Sequence, residues 1–302
     1  MTWDDVLAEY AVHQLAANLS EKTIQNREAC LLMLARLSGR LPHEITKSDL
    51  VRMLARKHAR TGQPMAAGTK QAERSYLQTF FAWMVVEGLR DDSPAGALQK
   101  IKIPRRKARP LRMAQIASML DSGAYQRTRD MITIAAMTGL RIGEVVKIRG
   151  EDVDVDGRVI RSIRKGGLDH IVHMADSVLD IADRYPRGGW WFPSPYTNAR
   201  FPDGGGHILM KSASSAIGKA IRRAGIHDPN LTGHSLRHYH ATTLLREGVP
   251  IRVVQEMMGH ASLATTQLYA EVTDEDMAGG VSRLPTIDPR TRSTRRSGRI
   301  AA

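Results

Sequence analysis

The sequence predicts a mainly α-helical fold with one small antiparallel sheet, split into an N-terminal four-helix domain and a larger α+β domain. Three observations carry this. Apolar residues recur at helical spacing, with capping residues at matching offsets, through residues 1–97. The stretch EDVDVDGRVIRSIRKGGLDHIVHM instead alternates about two turn signals, Asp156-Gly157 and Gly166-Gly167. Between the two patterns lies LQKIKIPRRKARP, residues 98–110, whose prolines and charge fit no regular element.

Each element follows in order. TWDDVLAEYAVHQLAA places apolar residues on one face of a first helix. Ser20 can cap a second that runs to about Leu37. ITKSDLVRMLARKHARTG reads as a third, with Thr46 as cap and Asp49 at the capping-box position. TKQAERSYLQTFFAWMVVEG is a fourth, ending at Gly88, and Pro94 and Pro104 mark the exit. Past Pro110, MAQIASMLDSG and RTRDMITIAAMTG read as helices. About three strands follow, then the loop WWFPSPYTNARFPDGGG, then helices to about residue 280. The expected organisation is 1–97, a linker over 98–110, a second domain over 111–282, and a tail over 283–302.

Composition narrows the function. Hydrophobic residues make up 42% of the 302, enough for real cores. No apolar run approaches the ~18–20 residues of a membrane helix. The opening MTWDDVLAEY is acidic and polar, unlike a secretory signal. The single cysteine, Cys30, excludes internal disulfides and cysteine metal clusters. A soluble, intracellular protein is expected. Net charge is +13, which favours a polyanionic partner. Residues 98–110 hold six basic side chains and no acid, and residues 283–302 hold six arginines against Asp288. Those two segments carry +11 of the +13, while the stretches around them are near neutral. A linker laid along DNA would meet phosphates, each neutralised one adding ~0.9 to the salt slope of binding.

Four places could carry chemistry, and each has a plain structural reading. In TGLRIGEV, Arg141 and Glu144 are three apart and would share a helix face, which alone is a surface ion pair. In RKGG, Lys165 sits at a hairpin tip, where a lysine is ordinarily just solvated. In HSLRHYHATTLLREG, His234 and Arg237 again face one way. No cysteine or carboxylate joins His234, His238 and His240 at the usual metal-ligand spacing, so no metal is expected and His238 and His240 read as structural. In GHASLATTQLYA, His260 precedes Tyr269 by nine residues, and a lone tyrosine would ordinarily pack.

Taken in order, Arg…Lys…His-x-x-Arg…His…Tyr resembles the active site of the tyrosine recombinases, the phage-integrase family. The run HSLRHYHATTLLREGVPIRVVQEMMGHASLATTQLYAEV is similar to that family's second conserved box nearly end to end. The helical first domain and the basic linker resemble its core-binding domain, so the likeness covers about 280 residues. It implies that Arg141 and Arg237 clamp a scissile phosphate, that Lys165 is the hairpin lysine (with Arg164 its one rival), and that His234 and His260 are the two histidines. It makes Tyr269 the nucleophile and Glu144 the brace. DNA contacts are expected from Lys70 and Arg74 in the fourth helix and from Lys100, Lys102, Arg105, Arg106 and Lys107 in the linker.

The implied chemistry suits these groups. A phenol with pKa ~10 is mostly neutral at pH 7 and needs activation. Two arginines offset the charge growing on the phosphoryl oxygens, and clustered cations favour the phenolate. His234 would exchange the tyrosine proton, His260 would donate to a nonbridging oxygen, and Lys165 would protonate the departing 5′-oxygen. The 3′-phosphotyrosyl link conserves bond energy, so no cofactor is implied.

The resemblance further implies a C-shaped clamp on double-stranded attachment sites and a homotetramer in synapsis, with a monomer without DNA. A directionality factor is a candidate partner, no membrane is involved, and the location is the bacterial cytoplasm, at the nucleoid when bound. The core-binding pattern begins almost at Met1, so an N-terminal arm-binding domain is not expected. Within the family the readings are a compact phage integrase, a Xer-like resolvase, or a transposon or integron recombinase. Outside it stand a non-catalytic DNA-binding protein on the same scaffold and a type IB topoisomerase. The Arg- and Ala-rich composition and the tail favour the phage integrase.

Overall fold

Thr2 opens the first helix with a reciprocal cap: its hydroxyl accepts from the Asp5 backbone N–H while the Asp5 carboxylate accepts from its own. The computed structural model describes residues 1–104, 109–163, 167, 169–197 and 201–259. The chain divides into two compact units, Met1–Arg106 and Lys107–Ala302. Among the described residues no helix is long and apolar enough to cross a membrane.

The first unit contains helices α1 (Trp3–Ala16), α2 (Glu21–Ser38), α3 (Lys47–Ala55) and α4 (Ala67–Val86). They close over Tyr10, Leu31, Leu34, Leu50, Met53, Leu77, Phe80 and Met84, all at or below 1% exposure. Thr46 and Asp49 form the expected capping box. Ser20 stands at the N-cap, but its hydroxyl bonds the Thr23 hydroxyl at 2.8 Å instead of a backbone N–H. The third helix is shorter than its sequence pattern, which ran on to Gly62. Arg56 turns back to cap the Met53 carbonyl and pairs with Glu73 of α4, ending the helix. The chain then makes a tight turn closed by the Lys57–Pro64 bridge, with Gly62 at φ +65°.

The second unit contains α5 (Met113–Leu120), α6 (Gln126–Thr138), α7 (Ile142–Val145), strands β1 (Val153–Asp154), β2 (Val159–Ile163) and β3 (Asp169–His173), then α8 (Asp176–Ala182), α9 (Met210–Arg223), α10 (His234–Arg246) and α11 (Ile251–Met258). The sheet is antiparallel in the order β1-β2-β3. Ile160 pairs with Val172 and both are buried, while Arg161 and Ile171 face outward, so the period-two pattern sets the register. Helices α6 and α10 are the most enclosed, and Met131, Ile132, Ile134, Ala135 and Leu236 are all at or below 1% exposure. Helix α8 is absent from the sequence expectation. It is secured beyond its last turn, where Arg184 and Tyr185 both bond the buried carboxylate of Asp130, at 2.7 and 3.0 Å.

Candidate active site

The site is built where three helix ends meet. Helix α6 stops at Gly139, which takes the left-handed conformation at φ +67°. Two residues on, Arg141 is the N-cap of the short α7. Its backbone N–H donates to Glu144 Oε2 at 2.8 Å and its Nη1 to Glu144 Oε1 at 3.0 Å. Glu144 therefore caps the helix and fixes the Arg141 guanidinium with the same carboxylate. The expected Arg141–Glu144 pair is present, although Arg141 precedes the helix instead of lying within it.

Helix α10 supplies the next two groups. Its start is shaped by Thr232, whose hydroxyl accepts from the His234 backbone N–H at 3.3 Å and whose carbonyl accepts from that of Ser235 at 2.9 Å. His234 opens the helix and shares a cleft wall with Arg141. One turn on, Arg237 is 2% exposed. Its Nη1 donates to the Gly139 carbonyl and its Nη2 to the Met258 carbonyl. Both acceptors lie at helix C-termini, at α6 and α11, where the macrodipole is negative. Such a setting offsets the several kcal/mol that burying a guanidinium costs.

The electrostatics of His234 follow from this. Its pKa lies below the usual imidazole value, first through burial, then through the positive charges of Arg237 and Arg141. The ring still reaches solvent, so a neutral imidazole stands at the cleft able to accept a proton. His238 stacks edge-on against it, with ring centroids 4.6 Å apart. Burial, His234 and Arg237 push His238 down to about 4. His240 is buried, with Nδ1 3.2 Å from the Ala136 carbonyl, and burial holds it at about 4 as well. No group of three or more His, Cys, Asp or Glu side chains among the described residues could hold a metal ion.

Arg141, Glu144, His234 and Arg237 thus come together. Lys165 and its rival Arg164, His260 and Tyr269 lie outside the described residues. The chain reaches His260 directly from Gly259, which ends α11 at φ +55° beside the Met258 carbonyl that accepts from Arg237. The hairpin that carries Lys165 in its connection is tied to the same place, because His170 of β3 has Nε2 3.1 Å from the Met257 carbonyl.

Of the candidate DNA-contacting residues, Lys100 and Lys102 are exposed, Lys70 is half-buried, and Arg105, Arg106 and Lys107 lie outside the described residues. Arg74 donates twice to the Leu98 carbonyl, at 3.1 and 2.7 Å, and so braces the segment leaving α4. The sequence reading missed that role, along with His170 and the two carbonyls holding Arg237. The glycines after α6 and α11 were the available signal for the carbonyls.

The phage integrase family profile matches residues 109–276. The chain is 30% identical to tyrosine recombinase XerD of Yersinia pestis over 274 residues, 86% of this chain and 90% of that protein. It is 32% identical to tyrosine recombinase XerC of Mycobacterium sp. (strain KMS), over 69% of this chain and 74% of that protein. In fold it is similar to the Tn1549 transposon integrase solved with a circular intermediate DNA, with a TM-score of 0.70 at 21% identity, covering 94% of this chain and all of that one. It is similar also to a lambda integrase dimer bound to a core site, with a TM-score of 0.68 at 19% identity, covering 88% and 97%. The chain belongs to the phage integrase family, the tyrosine recombinases, which are site-specific enzymes that transfer DNA strands.

Proposed function

We propose that this protein is a phage-integrase-type recombinase that integrates or excises a mobile element through a 3′-phosphotyrosyl intermediate. The observation that carries the reading is the convergence of Arg141, His234 and Arg237, two guanidiniums flanking one imidazole of depressed pKa. A phosphodiester seated there meets fixed positive charge on its nonbridging oxygens. Arg237 is held by two backbone carbonyls and Arg141 by Glu144, so neither must reorganise as charge develops.

In this reading Tyr269 attacks phosphorus, His234 takes the phenolic proton, His260 donates to a nonbridging oxygen, and Lys165 protonates the 5′-oxygen as the P–O bond breaks. Attack by the free 5′-hydroxyl of another strand reverses the step and releases the tyrosine. The partner is duplex DNA carrying attachment sites, as the DNA in both solved integrases supports. Four protomers would synapse two sites in the bacterial cytoplasm, with a directionality factor choosing the direction. Residues 1–97 act as the core-binding domain, 98–110 as the linker, 111–282 as the catalytic domain and 283–302 as a basic tail.

A second reading, a Xer-like resolvase of chromosome or plasmid dimers, is favoured by the 30% identity to XerD over 90% of that protein. Covalent adducts formed on sheared DNA of the host and element, mapped by sequencing, separate the two. Adducts at two unlike sites, one on each DNA, support integration; adducts at one repeated chromosomal site support resolution. Tyr269→Phe should bind the mapped site and form no adduct, and an adduct from that variant sinks the assignment.

A further inference from the structure

The cleft that holds Arg141 and His234 extends well past them. It encloses about 720 Å³ between α9, the start of α7 and the segment 226–234. Its far end is lined by Arg222, His227 and Asp228. The catalytic reading uses none of these three.

Arg222 lines this space. Its guanidinium lies along the cleft wall, with Nη1 3.6 Å from where a Cβ on Gly218 would stand. Among the described residues, the Arg222 guanidinium and the His227 ring have no hydrogen-bond or ion-pair partner. Asp228, the one acid among the lining residues, is already engaged: it accepts from the Asn230 backbone N–H and side chain and pairs with Arg109 at 3.3 Å. The cleft therefore keeps a positive far end. Its walls between the two ends are small or apolar, through Ile142, Gly143, Gly218, Ile221 and Leu231.

The spacing fits a DNA strand. A Cβ on Gly233, next to His234, would stand 3.7 Å from Ile217 of α9. Arg222 is five residues further along that helix, about 7.5 Å at 1.5 Å per residue. A strand of B-DNA advances about 3.4 Å per phosphate along its axis. Consecutive phosphates are farther apart than this axial rise, because the strand also winds about the axis, so Arg222 lies about one to two phosphate steps from the point where α9 packs beside His234.

We propose that this cleft seats the nucleotides flanking the scissile phosphate, with Arg222 binding a second phosphate on the same strand and the apolar walls packing against the intervening sugar. This rests on the recombinase reading. The experiment uses the full chain and a duplex carrying the mapped site, with single methylphosphonates placed one and two steps either side of the cleaved bond. Arg222→Gln should bind about tenfold more weakly, and its salt slope should fall by about 0.9. One neutralised position should weaken the wild type equally and cost Arg222→Gln nothing more.

Additive losses at every position, or an unchanged salt slope, overturn the proposal. So does a defect confined to synapsis, which would give the cleft to a neighbouring protomer. Failure of the wild type to form any adduct would instead count against the recombinase reading, so the two failures are distinguishable.

Discussion

Arg237 is anchored on Gly139, and only a glycine at 139 permits it. The guanidinium donates to the Gly139 carbonyl across 98 residues of sequence. The helix that carries Arg237 also lays His240 against the same residue, so close that a Cβ there would stand 2.6 Å from His240 Cδ2 and 2.9 Å from Met258 Sδ. Gly139 combines a left-handed φ of +67°, a close helix approach and a carbonyl aimed at the arginine. Any side chain disturbs all three together.

Gly139→Ala is therefore expected to lower stability by about 2–4 kcal/mol, from backbone strain and overpacking. Its cleavage defect should exceed the stability loss, because the displaced carbonyl moves the arginine. Urea unfolding and adduct yield, both taken where the variant is still folded, check this. A variant that unfolds and cleaves like the wild type would break the link between Gly139 and Arg237.

Stability should fall as pH drops below neutrality. His238 and His240 are held at about 4 in the folded protein and His234 is also lowered, all chiefly by burial. The unfolded chain, with imidazoles near ~6.5, binds protons first as pH falls. The stability that His238 and His240 contribute is full above ~6.5 and is lost toward about 4, and His234 acts in the same direction. Each can add up to about 1.4 kcal/mol per pH unit in that window. Unfolding free energies between pH 7 and 5 should show this slope, and His238→Asn should flatten it. An equally steep slope in that variant would place the dependence elsewhere.

How much was legible beforehand differs from element to element. Caps and periodicity are local, so Thr46 with Asp49, the α6 helix and the three-stranded sheet could be read directly. The Arg141–Glu144 pair was legible because its members stand three positions apart. Arg237 was legible as a member of a motif but not as a buried group, because its two acceptors come from helices distant in sequence. The end of α3 was hidden for the same reason: no glycine or proline interrupts the stretch before Gly62, and Glu73, on another helix, pulls Arg56 out of it. The cleft beside His234 needs α7, α9 and the 226–234 segment together, which no single stretch announces.

Glu73 gives a test of that hidden helix end. Its carboxylate receives two N–H groups from Arg56, beside buried Cys30, whose thiol is pushed up to about 12 by burial and then by Glu73. Glu73→Gln should destabilise the first unit by about 1–3 kcal/mol, since the arginine keeps its charge but loses its counter-ion. Hydrogen exchange at the end of α3 should rise with it. The double variant Arg56→Met, Glu73→Leu should recover much of the loss, because the mutual desolvation disappears. No recovery would mean that packing, not charge pairing, holds this corner.

Lys165 can be tested through its leaving group. An alkoxide departing from phosphorus needs a proton, whereas a thiolate, whose conjugate acid has a pKa near ~8.5, does not. Lys165→Ala should slow cleavage of the normal duplex by about 10²–10⁴-fold, the range of one general acid. A duplex with a 5′-bridging sulfur at the scissile bond should bring that variant back to within about tenfold of the wild type. The rescue must also be selective. Tyr269→Phe should stay inactive on the sulfur substrate, because in the proposed mechanism it lacks the nucleophile, and Arg237→Lys should stay slow, because a lysine cannot hold the Gly139 and Met258 carbonyls while serving phosphate. If Arg164→Ala is rescued and Lys165→Ala is not, the proton comes from the neighbouring residue. If neither is rescued while His234→Ala is, the imidazole at the head of α10 acts on the leaving oxygen instead of the phenol.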